Sequence, residues 1–192
     1  MAWLRQRDID DEKRTPHVIV RLRGRFSHLG VSPAKAESEL KKLGVKTGWK
    51  ILDFGCGSGV YTMAAARLAG RKGMVHAVDL HPANLEMIEK KAKELGLGNI
   101  DTVYSDLHTG IDDESMDAAL ICNELKRRKN VKELLEEVHR VIKPSGVLLV
   151  WESGMKRDMT RERVLKDGLF QYKGSEGKVL KFRKIKGAFH EI

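Results

Sequence analysis

The stretch Ile51-Leu52-Asp53-Phe54-Gly55-Cys56-Gly57-Ser58-Gly59 joins a short apolar run to the helical pattern Tyr61–Leu68. The run fits a strand buried on both faces. The alternate glycines after it let the chain turn sharply and bring its backbone against a ligand, because no Cβ intervenes. Strand, glycine turn and helix in that order predict the first unit of a parallel sheet, with the ligand at the strand's carboxyl end. The spacing departs from the dinucleotide fingerprint G-x-G-x-x-G, since the third glycine falls at Gly59 and Val60 takes the expected place. A nicotinamide or flavin oxidoreductase is therefore the lesser reading.

Outward from this stretch, further apolar runs read as strands: Met74–Val78, Thr102–Tyr104, Ala118–Cys122 and Val147–Trp151. Helical periodicities lie between them, at Leu85, Ile88, Ala92 and Leu95, with Pro82 in the first turn, and at Val131, Leu134, Leu135, Val138, Val141 and Ile142. Lys143-Pro144-Ser145-Gly146 reads as a turn. A short helical stretch near Arg161–Lys166 precedes Leu169–Tyr172 and Val179–Phe182, which read as an antiparallel hairpin across Gly174-Ser175-Glu176-Gly177. Ahead of the sheet, Ser32-Pro33 starts a helix whose stripe is Ala36, Leu40 and Leu43. The alternation predicts an α/β fold, doubly wound, with a mostly parallel seven-stranded sheet, helices on both faces and an antiparallel C-terminal hairpin. The division is a basic N-terminal extension and cover helix over 1–44 and a ligand-binding domain over 45–192. Residues 1–31 read as a mobile arm or an active-site cover.

With 192 residues, 41% hydrophobic and 33% charged, a single domain can bury a full core. No stretch approaches the roughly 20 consecutive apolar residues that cross a bilayer, and charges interrupt Met1–Arg25, where a signal peptide needs an apolar run. The reading is a soluble, cytoplasmic protein with no membrane partner. Two cysteines, Cys56 and Cys122, make neither a disulfide framework nor an iron–sulfur ligand set, and no cluster of metal ligands stands out. The formal charge of +9 is uneven. Residues 1–49 and 152–192 each hold 11 basic and 6 acidic side chains, and the middle holds 14 and 15. Such ends suit either a phosphate- or carboxylate-bearing partner or a plain solvated surface.

The glycine stretch resembles the first motif of the class I, Rossmann-like S-adenosylmethionine-dependent methyltransferases, an acidic residue followed by G-x-G-x-G at the end of the first strand. The likeness covers about Val45 to Ile185 and is nearest to the ubiquinone/menaquinone C-methyltransferases and small-molecule methyltransferases. It implies S-adenosyl-L-methionine as cofactor, bound by Asp53, Gly55, Cys56, Gly57, Ser58 and Gly59. Asp79, with Leu80 beside it, matches the family's acidic side chain across the ribose hydroxyls. Asp106, followed by Leu107, matches the position facing the adenine, and Asn123 follows the fourth strand. Two departures bear on the acceptor: Lys126-Arg127-Arg128-Lys129 stands where the nearer group often has histidines, and the region between the fifth strand and the hairpin is short.

The implied reaction is in-line methyl transfer with release of S-adenosylhomocysteine, in which the protein chiefly aligns donor and acceptor in a dry pocket. Glu124, His28 and His108 are the candidate proton acceptors. Three function classes are open: a small-molecule methyltransferase, an RNA or protein methyltransferase, and a cofactor-binding subunit without catalysis. The nearest resemblance favours a small-molecule acceptor, of anionic character if the run Lys126–Lys129 lines the pocket. Nucleic acid is the less favoured partner, and oligomeric state is open. The run is expected on the acceptor side, away from the cofactor.

Overall fold

A computed structural model of the protein describes residues 31–187. Strand β1 (Lys50–Phe54) runs parallel between β2 (Met74–Asp79) and β4 (Met116–Cys122). Beyond β2 lies β3 (Ile100–Tyr104), and beyond β4 lies β5 (Ile142–Trp151), both parallel to their neighbours. The hairpin β6 (Phe170–Glu176) and β7 (Val179–Lys184) closes the far edge, with β7 antiparallel to both β5 and β6. The strand order is β3-β2-β1-β4-β5-β7-β6, the seven-stranded mixed sheet expected. Its direction of growth reverses between β1 and β4. Loops diverge above such a switch point, and a crevice opens there for a ligand.

Side-chain alternation along the strands builds two apolar layers. Leu52, Phe54, Ala119, Ile121, Leu148 and Val150 face helix α4 (Val131–Val141) through Leu134, Leu135 and Val138. Ile51, Ala118, Leu120 and Leu149 face the other way, against α1 (Pro33–Lys42) and α2 (Val60–Ala69). Helix α3 (Pro82–Glu94) completes that second layer, setting Leu85 and Ile88 with Cys56, Met63 and Ala77. Ser32 caps α1 by accepting the Lys35 amide at 3.2 Å, as its place before Pro33 predicts. Ala36, Leu40 and Leu43 share one core with Ile51 and Tyr61, so α1 packs onto the sheet.

Three boundaries differ from the sequence reading. Lys143–Gly146 lies inside β5, because Ile142 pairs with Met116 while Val147 pairs with Ala118, and the extra residues bulge out of the ladder. Strand β6 carries on through Gly174 to Glu176 past an irregularity at Tyr172, which leaves the turn to Gly177-Lys178. Helix α5 (Arg157–Leu165) starts four residues earlier than expected, since only Thr160 and Val164 are buried and give it little apolar signal. Among the described residues no helix is long and apolar enough to cross a membrane.

Candidate functional site

Where β1 ends, the Gly55 and Cys56 amides both donate to the Val78 carbonyl, at 2.8 and 3.0 Å, and staple the turn to the end of β2. Gly55, Gly57 and Gly59 all adopt positive φ, at 75°, 51° and 77°, a conformation that costs glycine nothing. Two of them also sit against side chains. A Cβ on Gly55 would stand 2.3 Å from Glu124 Cγ, and one on Gly59 would stand 2.2 Å from Ile88 Cδ1. Asp53 lies beneath, 1% exposed, and its Oδ2 accepts the Thr62 hydroxyl at 2.5 Å. Burial pushes its carboxyl up to about 7; the Thr62 hydrogen bond opposes that shift and the neighbouring Asp79 adds to it. Asp53 Oδ1 and Ser58 Oγ are buried without a hydrogen-bond partner among the described residues.

Asp79 ends β2 and is buried. Its Oδ2 accepts the Gly57 amide at 2.9 Å and Asn84 Nδ2 at 3.0 Å, and its Oδ1 accepts the His81 amide at 2.8 Å. A carboxylate has about four acceptor places. Three are taken by the protein, which fixes the carboxylate against the glycine turn and leaves about one place for a ligand. Leu80 stands half-buried after it.

Across the crevice, Arg128 joins the loops after β3 and β4. Its Nη2 lies 3.1 Å from Asp106 Oδ1, its Nε donates to Glu124 Oε2 at 3.2 Å, and its guanidinium stacks 5.1 Å from the Phe54 ring centre. Its side chain is 9% exposed, so the charge is held by these carboxylates and the ring face rather than by water. Burial pushes the Glu124 carboxyl up to about 7, with Arg128 opposing and Asp79 reinforcing the shift. Glu124 thus covers Gly55 with a carboxyl that titrates near neutrality.

Asn123 turns the chain at the end of β4 with φ of 61°. Its Oδ1 accepts both the amide and the hydroxyl of Ser153 at 2.7 Å, which ties the ends of β4 and β5 together. Lys126 Nζ donates to Ser153 Oγ at 3.0 Å and to the Ser153 carbonyl. Beside them Glu152 Oε1 accepts the Leu125 amide at 2.7 Å.

Residues 51–146 match the model of a methyltransferase-domain family. The chain belongs to that family. The methyltransferase domain is 30% identical over 115 residues to the demethylmenaquinone methyltransferase of Geobacillus stearothermophilus, covering 59% of this chain and 49% of that one. It is 33% identical over 111 residues to the ubiquinone/menaquinone biosynthesis C-methyltransferase UbiE of Haemophilus ducreyi, covering 57% and 43%. The chain therefore spans about half the length of the curated relatives it matches. In fold it is similar to a SAM-dependent methyltransferase from Aquifex aeolicus, with TM-score 0.72 and 21% identity over 89% of this chain and 98% of that one.

Within the methyltransferase domain the structure brings together Asp53, the Gly55–Gly59 turn, Asp79 and Glu124 at one crevice, and Arg128 links Asp106 to it. Asn123 stands at the same sheet end with its side-chain oxygen turned to Ser153. Leu107 is half-buried at the edge of the α4 layer. Cys56 is buried in the α3 layer, and burial pushes its thiol up, as a packing role requires. His108 is exposed, and its carbonyl accepts the Ser105 hydroxyl at 2.6 Å. His28 lies outside the described residues. Sequence reasoning missed Thr62, Asn84 and Glu152, and it set all of Lys126–Lys129 on the acceptor side. Arg128 instead reaches Asp106. The acidic partner of Thr62 and the place of Asn84 in the first turn of α3, five residues after Asp79, were the signals available for the first two.

Proposed function

We propose that the chain is a cytoplasmic enzyme that transfers a methyl group from S-adenosylmethionine to a small-molecule acceptor. The catalytic unit in this reading is 45–192, with 1–44 as extension and cover. The observation that carries it is the glycine turn at the carboxyl end of β1, locked through the Gly57 amide to the Asp79 carboxylate. The site fits the cofactor on the chain's own evidence. Ser58 Oγ is buried in the turn without a hydrogen-bond partner among the described residues, and Asp79 keeps one acceptor place beside the turn. In this reading Gly55–Gly59 and Asp53 hold the amino-acid end, Asp79 with Leu80 the ribose, and Asp106 with Leu107 the adenine.

The bound cofactor supplies a sulfonium methyl that is already activated, so the chain's contribution is orientation and exclusion of water, worth up to roughly 7–11 kcal/mol. Glu124 is the proton acceptor this geometry favours, since it covers Gly55 and its carboxyl is pushed to about 7. His108, exposed on its loop, is the weaker candidate. Lys126 and Arg128 are engaged with Ser153 and with Asp106 and Glu124. That leaves Arg127 and Lys129 exposed at the rim to attract an anionic acceptor. The relatives named for quinone methylation support a small-molecule acceptor over RNA or protein. Transfer of labelled methyl from S-adenosylmethionine into the fractions of a cell extract tests this. Label is expected in the small-molecule fraction; label in RNA or protein would replace the acceptor class, and none in any fraction would leave a non-catalytic subunit.

A further inference from the structure

A concavity lies at the carboxyl end of β5, two strands over from β1 and its glycine turn. It measures ≈ 260 Å³ and is walled by Trp151, Met155 and Leu180, with the buried Glu152 and the exposed Arg157 and Lys178 also lining it. Drug-sized ligands occupy pockets of roughly 300–1,000 Å³. The occupant is therefore a small molecule, or the reactive end of a larger one.

Glu152 gives the cavity its chemistry. The residue is 7% exposed, and while its Oε1 holds the Leu125 amide at 2.7 Å, its Oε2 has no hydrogen-bond partner among the described residues. Burial pushes its carboxyl up, and the Leu125 amide, the Lys126 and Arg127 charges and the Lys126 amide oppose that shift. A buried carboxylate oxygen left without a donor is costly, and a bound O–H or N–H removes that cost. The Arg157 guanidinium is anchored on the Gly177 carbonyl, and Lys178 makes no ion pair among the described residues. Ser153, which lines the cavity, donates its amide to Asn123 Oδ1 at 2.7 Å, and the residue after Asn123, Glu124, covers Gly55.

We propose that this cavity is the acceptor's binding site, taking a small molecule that presents an O–H or N–H to Glu152 and an anionic group to Arg157 and Lys178. The proposal rests on the methyl-transfer reading, and its test separates the two. Three probes carry the required chemistry in parts: meta-hydroxybenzoate has both groups, meta-methoxybenzoate lacks the donor, and phenol lacks the anion. Each is titrated into the full chain saturated with S-adenosylhomocysteine while the Trp151 indole N–H resonance, assigned by its loss in Trp151→Phe, is followed.

Meta-hydroxybenzoate is expected to shift that resonance saturably, and meta-methoxybenzoate to bind about tenfold more weakly, the effect of one lost hydrogen bond to a charged group. Glu152→Gln keeps an oxygen for the Leu125 amide and should erase most of that tenfold preference. Replacing Arg157 and Lys178, both exposed, with Ala should lower meta-hydroxybenzoate affinity to that of phenol. Absence of a saturable shift at Trp151, or equal affinity for the hydroxy and methoxy probes, would overturn the proposal and leave the methyl-transfer reading standing. Failure of the chain to bind S-adenosylhomocysteine at all would remove that reading, and this proposal with it.

Discussion

Arg128 spans the crevice to Asp106, Nη2 to Oδ1 at 3.1 Å, and so occupies the carboxylate that the donor's adenine is proposed to meet. Asp106 is 40% exposed at its side chain, which places the pair among those worth about 0.2–1 kcal/mol. Arg128→Ala is therefore expected to tighten S-adenosylhomocysteine binding by up to about fivefold at low salt. The gain should shrink at high salt as the charges are screened. Calorimetry at two ionic strengths checks this. Weaker binding by the variant would mean that Arg128 belongs to the donor's own contacts.

Asp53 carries a pH signature. Its carboxyl is raised by burial from the ordinary carboxylate range to about 7, so between about pH 4 and 7 the folded protein retains a proton that the unfolded chain has released. Stability from this group is full below about pH 4 and is lost as pH rises to about 7. Asp53→Asn keeps an acceptor for Thr62 and cannot ionise. Its stability relative to the natural chain should rise from pH 5 to pH 8, measured as the difference between their melting temperatures. Parallel curves would show that Asp53 is ionised throughout that range.

The parts of the fold set by local chain chemistry were legible in the sequence. Apolar runs of two-sided strands gave the five parallel strands, and Pro33 and Pro82 marked the starts of α1 and α3. The glycine turn and Asp79 were legible for the same reason, as fixed offsets from strand ends. What escaped depends on distant segments meeting. Lys126–Lys129 reads as four equal charges until β3 brings Asp106 beside only one of them. Glu152 is an ordinary residue after a strand until the Leu125 amide docks on it. The early start of β5 was hidden by Pro144 and Gly146, which signal a turn locally but here form a bulge between two paired segments.

Gly59 couples the turn to the α3 layer, and its replacement should act on stability. The residue has φ of 77°, and a Cβ would lie 2.2 Å from Ile88 Cδ1. Backbone strain and overpacking together are expected to cost Gly59→Ala about 2–4 kcal/mol. Urea unfolding measures the loss. Gly96→Ala serves as the comparison, because its φ of 65° carries similar backbone strain while a Cβ meets nothing within 4 Å. Equal losses would remove the Ile88 contact from the explanation.

The central claim is that the turn and Asp79 together hold the methyl donor, and calorimetric titration of the chain with S-adenosylhomocysteine addresses it most directly. Asp79 fixes the Gly57 amide at 2.9 Å and keeps an acceptor place for the ligand. Losing the lock and the ligand bond, at about 1.5 kcal/mol each, amounts to a loss of roughly 100-fold. The account predicts that the natural chain binds S-adenosylhomocysteine and does not bind NAD comparably, and that Asp79→Ala, folded by its melting profile, binds about 100-fold more weakly. Equal affinity of the two proteins for S-adenosylhomocysteine, or comparable binding of NAD by the natural chain, would contradict it.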